Sequence, residues 1–455
     1  MRNPSIRILG PLFKEVHTKV LSTGPDESVA FLTAKYFDTG ERTVFLAGTI
    51  VPAKTEDYLR QGAYHLQVSP LYVNRVLNVA EDQKNTVIMV HSHPFEQGIP
   101  MYSPTDDHGE TLTSETISKC LEANPPVASM LFGQTHITAR TWTGLTKRNS
   151  PCPVNVLDGT SFQVYLPFAE SRSNGKDFLD RQIKALGQRA QAQLEQMDIG
   201  IVGLGGTGSA VAEQLARMGV KKLRLVDHDK IEISNLSRLY GSTIRDVQKK
   251  RYKADVVGSH LQRINPSLEI VRVSETVMKN DVLRLLANCD IIFSCLDRHA
   301  PRAVLNELSY QCFIPMIDVG VGLQKDETGL VGGAARATII GPGLPCLICQ
   351  EIVRPEVITA ENLSPEEYQK RRAEEYVTDL QQDVPSVISY TTLAASLGLL
   401  TFTELLLGKG EKSYSTLLID LESKEILKLR PSIKEDCVCK KRLGKAFGIP
   451  FSVAD

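Results

Sequence analysis

Residues 198–219, DIGIVGLGGTGSAVAEQLARMG, pass from an apolar strand through a glycine-rich turn into a helix. Gly203, Gly205, Gly206 and Gly208 fill the pattern G-x-G-G-x-G. Glycine lets a backbone approach a phosphate closely, and a helix start offers free N–H groups to an anion. A strand, this turn and a helix in that order commit the segment to an α/β unit with a nucleotide pocket at the strand's end. The motif alone does not separate a dinucleotide enzyme from one that uses a nucleoside triphosphate.

The chain around it supports that architecture. IGIVGLG, KLRLVD, LEIVRV, DIIFSCLD and IPMIDVG read as apolar strands alternating with helical stretches. Such alternation predicts a Rossmann-like, mostly parallel sheet. PSVISYTTLAASLGLLTFTELLLG predicts a long helix that ends at Gly408. Residues 1–155 read instead as a separate α+β domain, with strands at TVFLAGTIVP and NTVIMVHSHP. The polar stretch ending SRSNGKD predicts a linker over 156–176, the α/β domain then covers 177–445, and 446–455 read as a tail.

The 455 residues carry a formal net charge of −1 without long runs of lysine or arginine. That balance argues against nucleic acid or an anionic membrane as partner. The apolar stretch from Leu393 to Leu407 is broken by Ser396, Thr401, Thr403 and Glu404 and is too short to span a bilayer. The first residues lack the pattern of a signal peptide. A cytoplasmic location is expected, where nine cysteines argue against a disulfide framework.

The residues after the glycine turn favour a triphosphate. The next strand ends in Asp227-His228-Asp229, where a carboxylate can accept hydrogen bonds from ribose hydroxyls. Asp229 is equally placed to cap a turn. Asn235, Arg238 and Lys253 come next, a density of polar and cationic groups suited to charge that shifts onto leaving pyrophosphate. Asp297 closes the strand DIIFSCLD, where a carboxylate can hold the magnesium that accompanies a triphosphate.

The run FLDRQIKALGQ, IGIVGLGGTGS, LVDHDKIEISNLSRL, SCLD and PCLIC resembles the ThiF/MoeB and ubiquitin-activating adenylation fold over roughly residues 176–440. The resemblance implies that Asp227 binds ribose and that Asn235, Arg238 and Lys253 bind the phosphates of ATP. It makes Asp297 the Mg2+-linked aspartate. It makes Arg181 the arginine that reaches into a partner protomer's site, hence a homodimer.

Cys346/Cys349 and Cys437/Cys439 form two close pairs, a spacing that suggests metal. The family places a structural Zn2+ site there, and tetrahedral zinc takes two such pairs. The second pair encloses one residue here, where the family usually has two. Residues 354–384 hold no cysteine, so the segment where relatives keep a nucleophilic thiol cannot form a thioester. The chemistry is then expected to stop at an acyl-adenylate, as in MoeB-like members.

In the N-terminal domain His91-x-His93 stands at a strand end, where alternate residues point the same way. Ser103-x-x-Asp106 follows and Glu27 precedes. Two histidines and an aspartate leave zinc an open position for water, and a carboxylate can shuttle that water's proton. The pattern resembles the JAMM metalloproteases, which cleave isopeptide bonds to ubiquitin-like proteins. The resemblance implies His91, His93 and Asp106 as ligands of a catalytic Zn2+, Glu27 as general base and Ser103 as oxyanion stabiliser. The loop between His93 and Ser103 is slightly longer than the usual pattern, and Asp107 and His108 are adjacent alternatives.

Together the two resemblances imply a bifunctional enzyme of a bacterial ubiquitin-like pathway. One domain activates a C-terminal carboxylate, and the other processes a precursor or removes a conjugate. Its partners would be a ubiquitin-like protein and, downstream, a conjugating enzyme or a sulfurtransferase. Three other readings stand beside it: a sulfur-carrier or peptide adenylyltransferase, a non-catalytic scaffold, and, furthest off, a dehydrogenase.

Overall fold

The computed structural model describes residues 4–22, 24–142, 149–167, 177–373, 385–410, 414–448 and 450–451. The chain folds as two compact units. The first holds residues 1–158, 163–171 and 444–448, and the second holds 159–162, 172–443 and 449–455.

The first unit is built on β1 (Ser5–Leu9), β2 (Val29–Asp38), β3 (Thr43–Pro52), β6 (Thr86–Ser92), β7 (Val127–Phe132), β8 (Ile137–Trp142), β9 (Asn149–Pro151), β10 (Val154–Asp158) and β11 (Ser161–Tyr165). These strands lie side by side in the order β11-β10-β1-β3-β2-β6-β7-β8-β9, while β4 (Tyr58–Gly62) and β5 (His65–Val68) form a separate hairpin. Central β6 is buried along its whole length and is almost wholly apolar up to His91. One face packs on the helix Gly10–Leu21 through Val16 and Val20. The other packs on helices Pro70–Asp82 and Pro104–Cys120 through Tyr72, Val76, Ala80 and Ile117. Sandwiching by helices on both faces is what permits an uninterrupted apolar strand at the centre.

In the second unit β12 (Asp198–Val202), β13 (Lys222–Val226), β14 (Glu269–Val273), β15 (Ile291–Ser294), β16 (Met316–Asp326), β17 (Gly329–Ile340), β18 (Thr416–Asp420) and β19 (Ile426–Leu429) form one sheet. Its order is β14-β13-β12-β15-β16-β17-β18-β19. The five predicted strands are the first five, all parallel. The last three join antiparallel. Because β13 and β14 lie on one side of β12 and β15 on the other, the order reverses between β12 and β15. An open α/β sheet binds ligands at such a point. The predicted long helix is Ile388–Leu406, and Gly408 follows with φ +63°.

Two boundaries differ from the sequence expectation. The segment from 156 is not all linker, since residues through Asp158 complete β10 and β11 follows at once. Alternating apolar residues in SFQVY pair as a strand despite their polar neighbours. Residues 444–445, expected in the α/β domain, and 446–448, expected in the tail, lie elsewhere. They belong to the first unit, where the Phe447 ring meets Phe37 edge-on at 5.3 Å.

At the base of β12 and β13 a buried charge pair replaces apolar packing. The Arg224 guanidinium, 1% exposed, donates from Nε at 2.8 Å and from its terminal nitrogen at 2.7 Å to the Asp198 carboxylate. Removing one partner of such a pair strands the other's charge away from water. Asp198→Asn is therefore expected to lower the opening free energy of the β12 and β13 amides by about 3–5 kcal/mol, measured by native-state hydrogen exchange.

Candidate functional sites

The nucleotide site forms where β13, β12 and β15 end side by side. Gly203 leaves β12 with φ +87°, and a Cβ there would lie 2.6 Å from the Cys295 carbonyl oxygen. A Cβ on Gly208 would overlap the Gly203 carbonyl oxygen itself. The turn can therefore be this tight only with glycine at both places. Helix Gly206–Arg217 starts from it and points its free N–H groups toward a cavity of about 540 Å³.

Asp227 ends β13 and braces the turn. Its carboxylate accepts the Leu204 N–H at 2.7 Å and the Asp229 N–H at 2.8 Å. Burial raises its pKa above the usual carboxylate value, against the pull of Lys253 and those two N–H groups. Lys253 binds Asp229 at 2.7 Å, and this ion pair overcomes partial burial to hold the Asp229 carboxyl low. Gly203, Gly205, Gly206, Asp227, Asp229, Asn235, Arg238, Lys253 and Asp297 all line the cavity. Gly208 lies behind it, where it sets the turn. Arg181, on the helix Asp180–Leu186, is exposed and does not line the cavity.

Sequence reasoning missed the floor. Asp318 of β16 is wholly buried and accepts hydrogen bonds from Arg336 at 2.6 Å and Ser294 at 2.8 Å. Arg302 lines the cavity with Nε 3.3 Å from the same carboxylate. Arg302 lies five residues beyond Asp297, but its partner is reached only through sheet pairing.

Elsewhere in the second unit the four predicted cysteines meet. Cys346 Sγ lies 3.7 Å from Cys349 Sγ and 3.3 Å from Cys437 Sγ, and Cys349 Sγ lies 3.9 Å from Cys439 Sγ. All four are buried. The Lys434 N–H at 3.3 Å and the Cys349 N–H at 3.5 Å point at sulfur. Four converging thiols with backbone donors aimed at them fit a tetrahedral zinc ion, and the single-residue gap between Cys437 and Cys439 does not prevent convergence.

In the first unit His91, His93 and Asp106 also converge. Their donor atoms all lie within 4.8 Å of one another. His91 comes from the end of β6 and His93 from just beyond it. Asp106 comes from the first turn of helix Pro104–Cys120. Ser103 caps that helix, accepting the Asp106 N–H at 3.2 Å, while its own N–H donates to Asp106 at 2.6 Å. This reciprocal cap fixes the carboxylate beneath the histidines. Asp106 Oδ1 lies 3.3 Å from His91 Nε2 and Oδ2 lies 3.5 Å from His93 Nε2. Burial alone would raise the Asp106 pKa, but the two imidazoles outweigh it and hold the group far below its usual range.

His91 Nε2 is buried with no hydrogen bond, the condition of a nitrogen placed for a metal. Glu27 Oε1 lies 3.6 Å from His93 Nε2, and burial raises its pKa despite the histidines nearby. The adjacent alternatives do not enter this cluster: Asp107 pairs with Arg140, and His108 is exposed. Missed in the sequence were two carboxylates behind the histidines, Glu96 at 3.1 Å from His93 Nδ1 and Glu110 at 3.6 Å from His91 Nδ1. Glu110 stands four residues after Asp106, a helical spacing that could have revealed it.

Among the described residues, no helix is long and apolar enough to cross a membrane. Cys439→Ser removes one corner of the thiol tetrahedron. It is expected to cost the second unit its zinc and to shift its thermal transition down by several degrees, checked by metal counting and calorimetry.

A family model described as the ThiF family matches residues 179–440. The sulfur carrier protein ThiS adenylyltransferase of Bacillus subtilis is 29% identical over 164 residues, 36% of this chain and 46% of that protein. The adenylyltransferase and sulfurtransferase MOCS3 of Mus musculus is 33% identical over 134 residues, 29% of this chain and 28% of that protein. Ubiquitin-like modifier-activating enzyme 5 of Culex quinquefasciatus is 30% identical over 190 residues, 38% of this chain and 43% of that protein. The chain thus spans less than half the length of each of these three relatives. Among solved structures, E. coli MccB with MccA-N7isoASN aligns at a TM-score of 0.47 and 19% identity, covering 58% of this chain and 75% of that one. The family match covers more than half of the 455 residues and contains the glycine turn, Asp227, Lys253, Asp297 and the four-cysteine site, and on that extent the chain belongs to the ThiF family.

Proposed function

We propose that the second unit transfers AMP from ATP to the C-terminal carboxylate of a ubiquitin-like or sulfur-carrier protein, and that the first unit is a zinc hydrolase acting on the same kind of tail. The observation that carries the first half is the shared lining of one cavity by the glycine turn, Asp227, Asn235, Arg238, Lys253 and Asp297. The adenylyltransferase and activating-enzyme names of the relatives support it.

On this reading the glycine turn and helix start receive the phosphates, with Arg238 and Lys253 beside them. Asp227 meets the ribose at the end of β13. Charge developing on pyrophosphate is what these fixed cations and N–H groups would stabilise. Asp297, exposed at the cavity edge, would hold Mg2+ against the phosphates. Arg181, outside its own cavity, would act from a partner protomer in a homodimer.

ATP–pyrophosphate exchange by the full chain tests this half, with small-protein fractions added to supply the acceptor carboxylate. Exchange is expected to depend on one fraction and to fall at least about a hundredfold in Asp297→Ala, because a transition-state contact is lost. Exchange equal to wild type in that variant, or none with any fraction, would overturn the adenylation reading.

For the first unit the JAMM resemblance is supported by the His91, His93 and Asp106 convergence beside Glu27. Zinc bound there would supply a water of lowered pKa. Glu27 is the proton acceptor in this arrangement, its pKa already raised toward the range a general base needs. The Ser103 hydroxyl accepts the Asp106 N–H, so its own proton is left to steady an oxyanion. Glu27→Gln is expected to slow cleavage of a ubiquitin-like protein carrying a C-terminal extension by about 10²–10⁴-fold with zinc content unchanged. Equal rates for variant and wild type would remove Glu27 from the chemistry.

A further inference from the structure

The two histidines of the first unit are each backed by a carboxylate, and one backing is built into the core. Glu110 is 8% exposed on the buried face of helix Pro104–Cys120. Its Oε2 receives Arg140 Nε at 2.8 Å, Ser129 Oγ at 2.8 Å and Trp142 Nε1 at 3.3 Å. Its Oε1 has no hydrogen bond and faces His91 Nδ1 at 3.6 Å. Arg140 is sandwiched in turn, its guanidinium 3.6 Å from the Tyr102 ring centroid and 5.0 Å from that of Trp142. Tyr102 packs on the His91 ring, centroids 5.9 Å apart. β7 and β8 thus supply a buried frame that ends on a single carboxylate oxygen aimed at His91.

Burying a charge pair is costly unless its remaining lone pairs are satisfied. Leaving Oε1 open inside so complete a frame makes sense only if Oε1 has a partner. We infer that Glu110, oriented by Arg140, Ser129 and Trp142, is the positioning residue that keeps His91 Nδ1 protonated and Nε2 free for a metal ion. Glu96 does the same for His93 from the solvent side, its second oxygen tied to the Met101 N–H at 2.9 Å. A metal-ligating histidine commonly donates its other nitrogen to a carboxylate, and losing that partner typically costs 10–100-fold in metal affinity. The inference rests on the zinc reading of this unit.

The chain provides its own reporter, since Trp142 is its single tryptophan. Zinc is titrated into the chelated full-length chain while bound metal is counted by native mass spectrometry and Trp142 emission is followed. One equivalent, absent in His91→Ala, is expected to change the emission. The equivalent held by the four cysteines leaves the emission unchanged. Glu110→Gln offers one acceptor oxygen where the frame and His91 need two, and is expected to weaken the emission-linked equivalent about 10–100-fold. Glu96→Gln, at a partly exposed site where folding is not at stake, is expected to weaken it about tenfold. The cysteine-bound equivalent stays at wild-type affinity in both. Wild-type affinity in both variants would overturn the positioning role while leaving the zinc site standing. Absence of any His91-dependent zinc in the wild type would overturn the inference and the hydrolase together.

Discussion

The Asp227 carboxylate ties the end of β13 to the glycine turn and to the loop that follows it. It ends β13, takes the N–H of Leu204 from inside the glycine turn, and takes the N–H of Asp229 from the loop that carries Lys253's partner. Two of its lone pairs are spent on holding the turn, and burial raises the cost of the remaining charge.

The sequence made legible whatever is encoded by local pattern. The glycine spacing, the five parallel strands and the Gly408 stop each depend on neighbours in the chain, and each is where the pattern put it. The paired cysteines were legible because chelation favours close spacing, and folding had only to bring two pairs together. The antiparallel half of the second sheet was not legible: glycine-rich β17 gives no clean alternation, and its partners are fixed by register with β16 and β18. The pairing of Glu110 with Arg140 was illegible for a related reason. A buried ion pair thirty residues apart has no periodic signature, and each residue alone reads as a solvated surface charge.

The two units distribute charge differently around their sites. The nucleotide cavity is lined by four cations, Arg238, Lys253, Arg298 and Arg302, and by four carboxylates, Asp227, Asp229, Glu275 and Asp297, with Asp227 held by two backbone N–H groups. The histidine site gathers carboxylates, with Asp106, Glu110, Glu96 and Glu27 around two imidazoles, and admits one buried cation, Arg140, behind them. On the proposed reading, four carboxylates around the two imidazoles are an arrangement suited to a divalent cation. It would be a poor one for an anionic substrate.

On the proposed reading, the same cavity also bears on how far the chemistry goes. Among the described residues lining it, Cys295 is the one cysteine. Burial pushes its thiol well up, and the Asp318 carboxylate pushes it further, outweighing Arg302. Attack on an acyl-adenylate needs thiolate, and thiolate is the form this environment disfavours. The segment 354–384, where relatives keep a nucleophile, has no cysteine. On that reading Cys295 is a poor acceptor for the activated carboxylate.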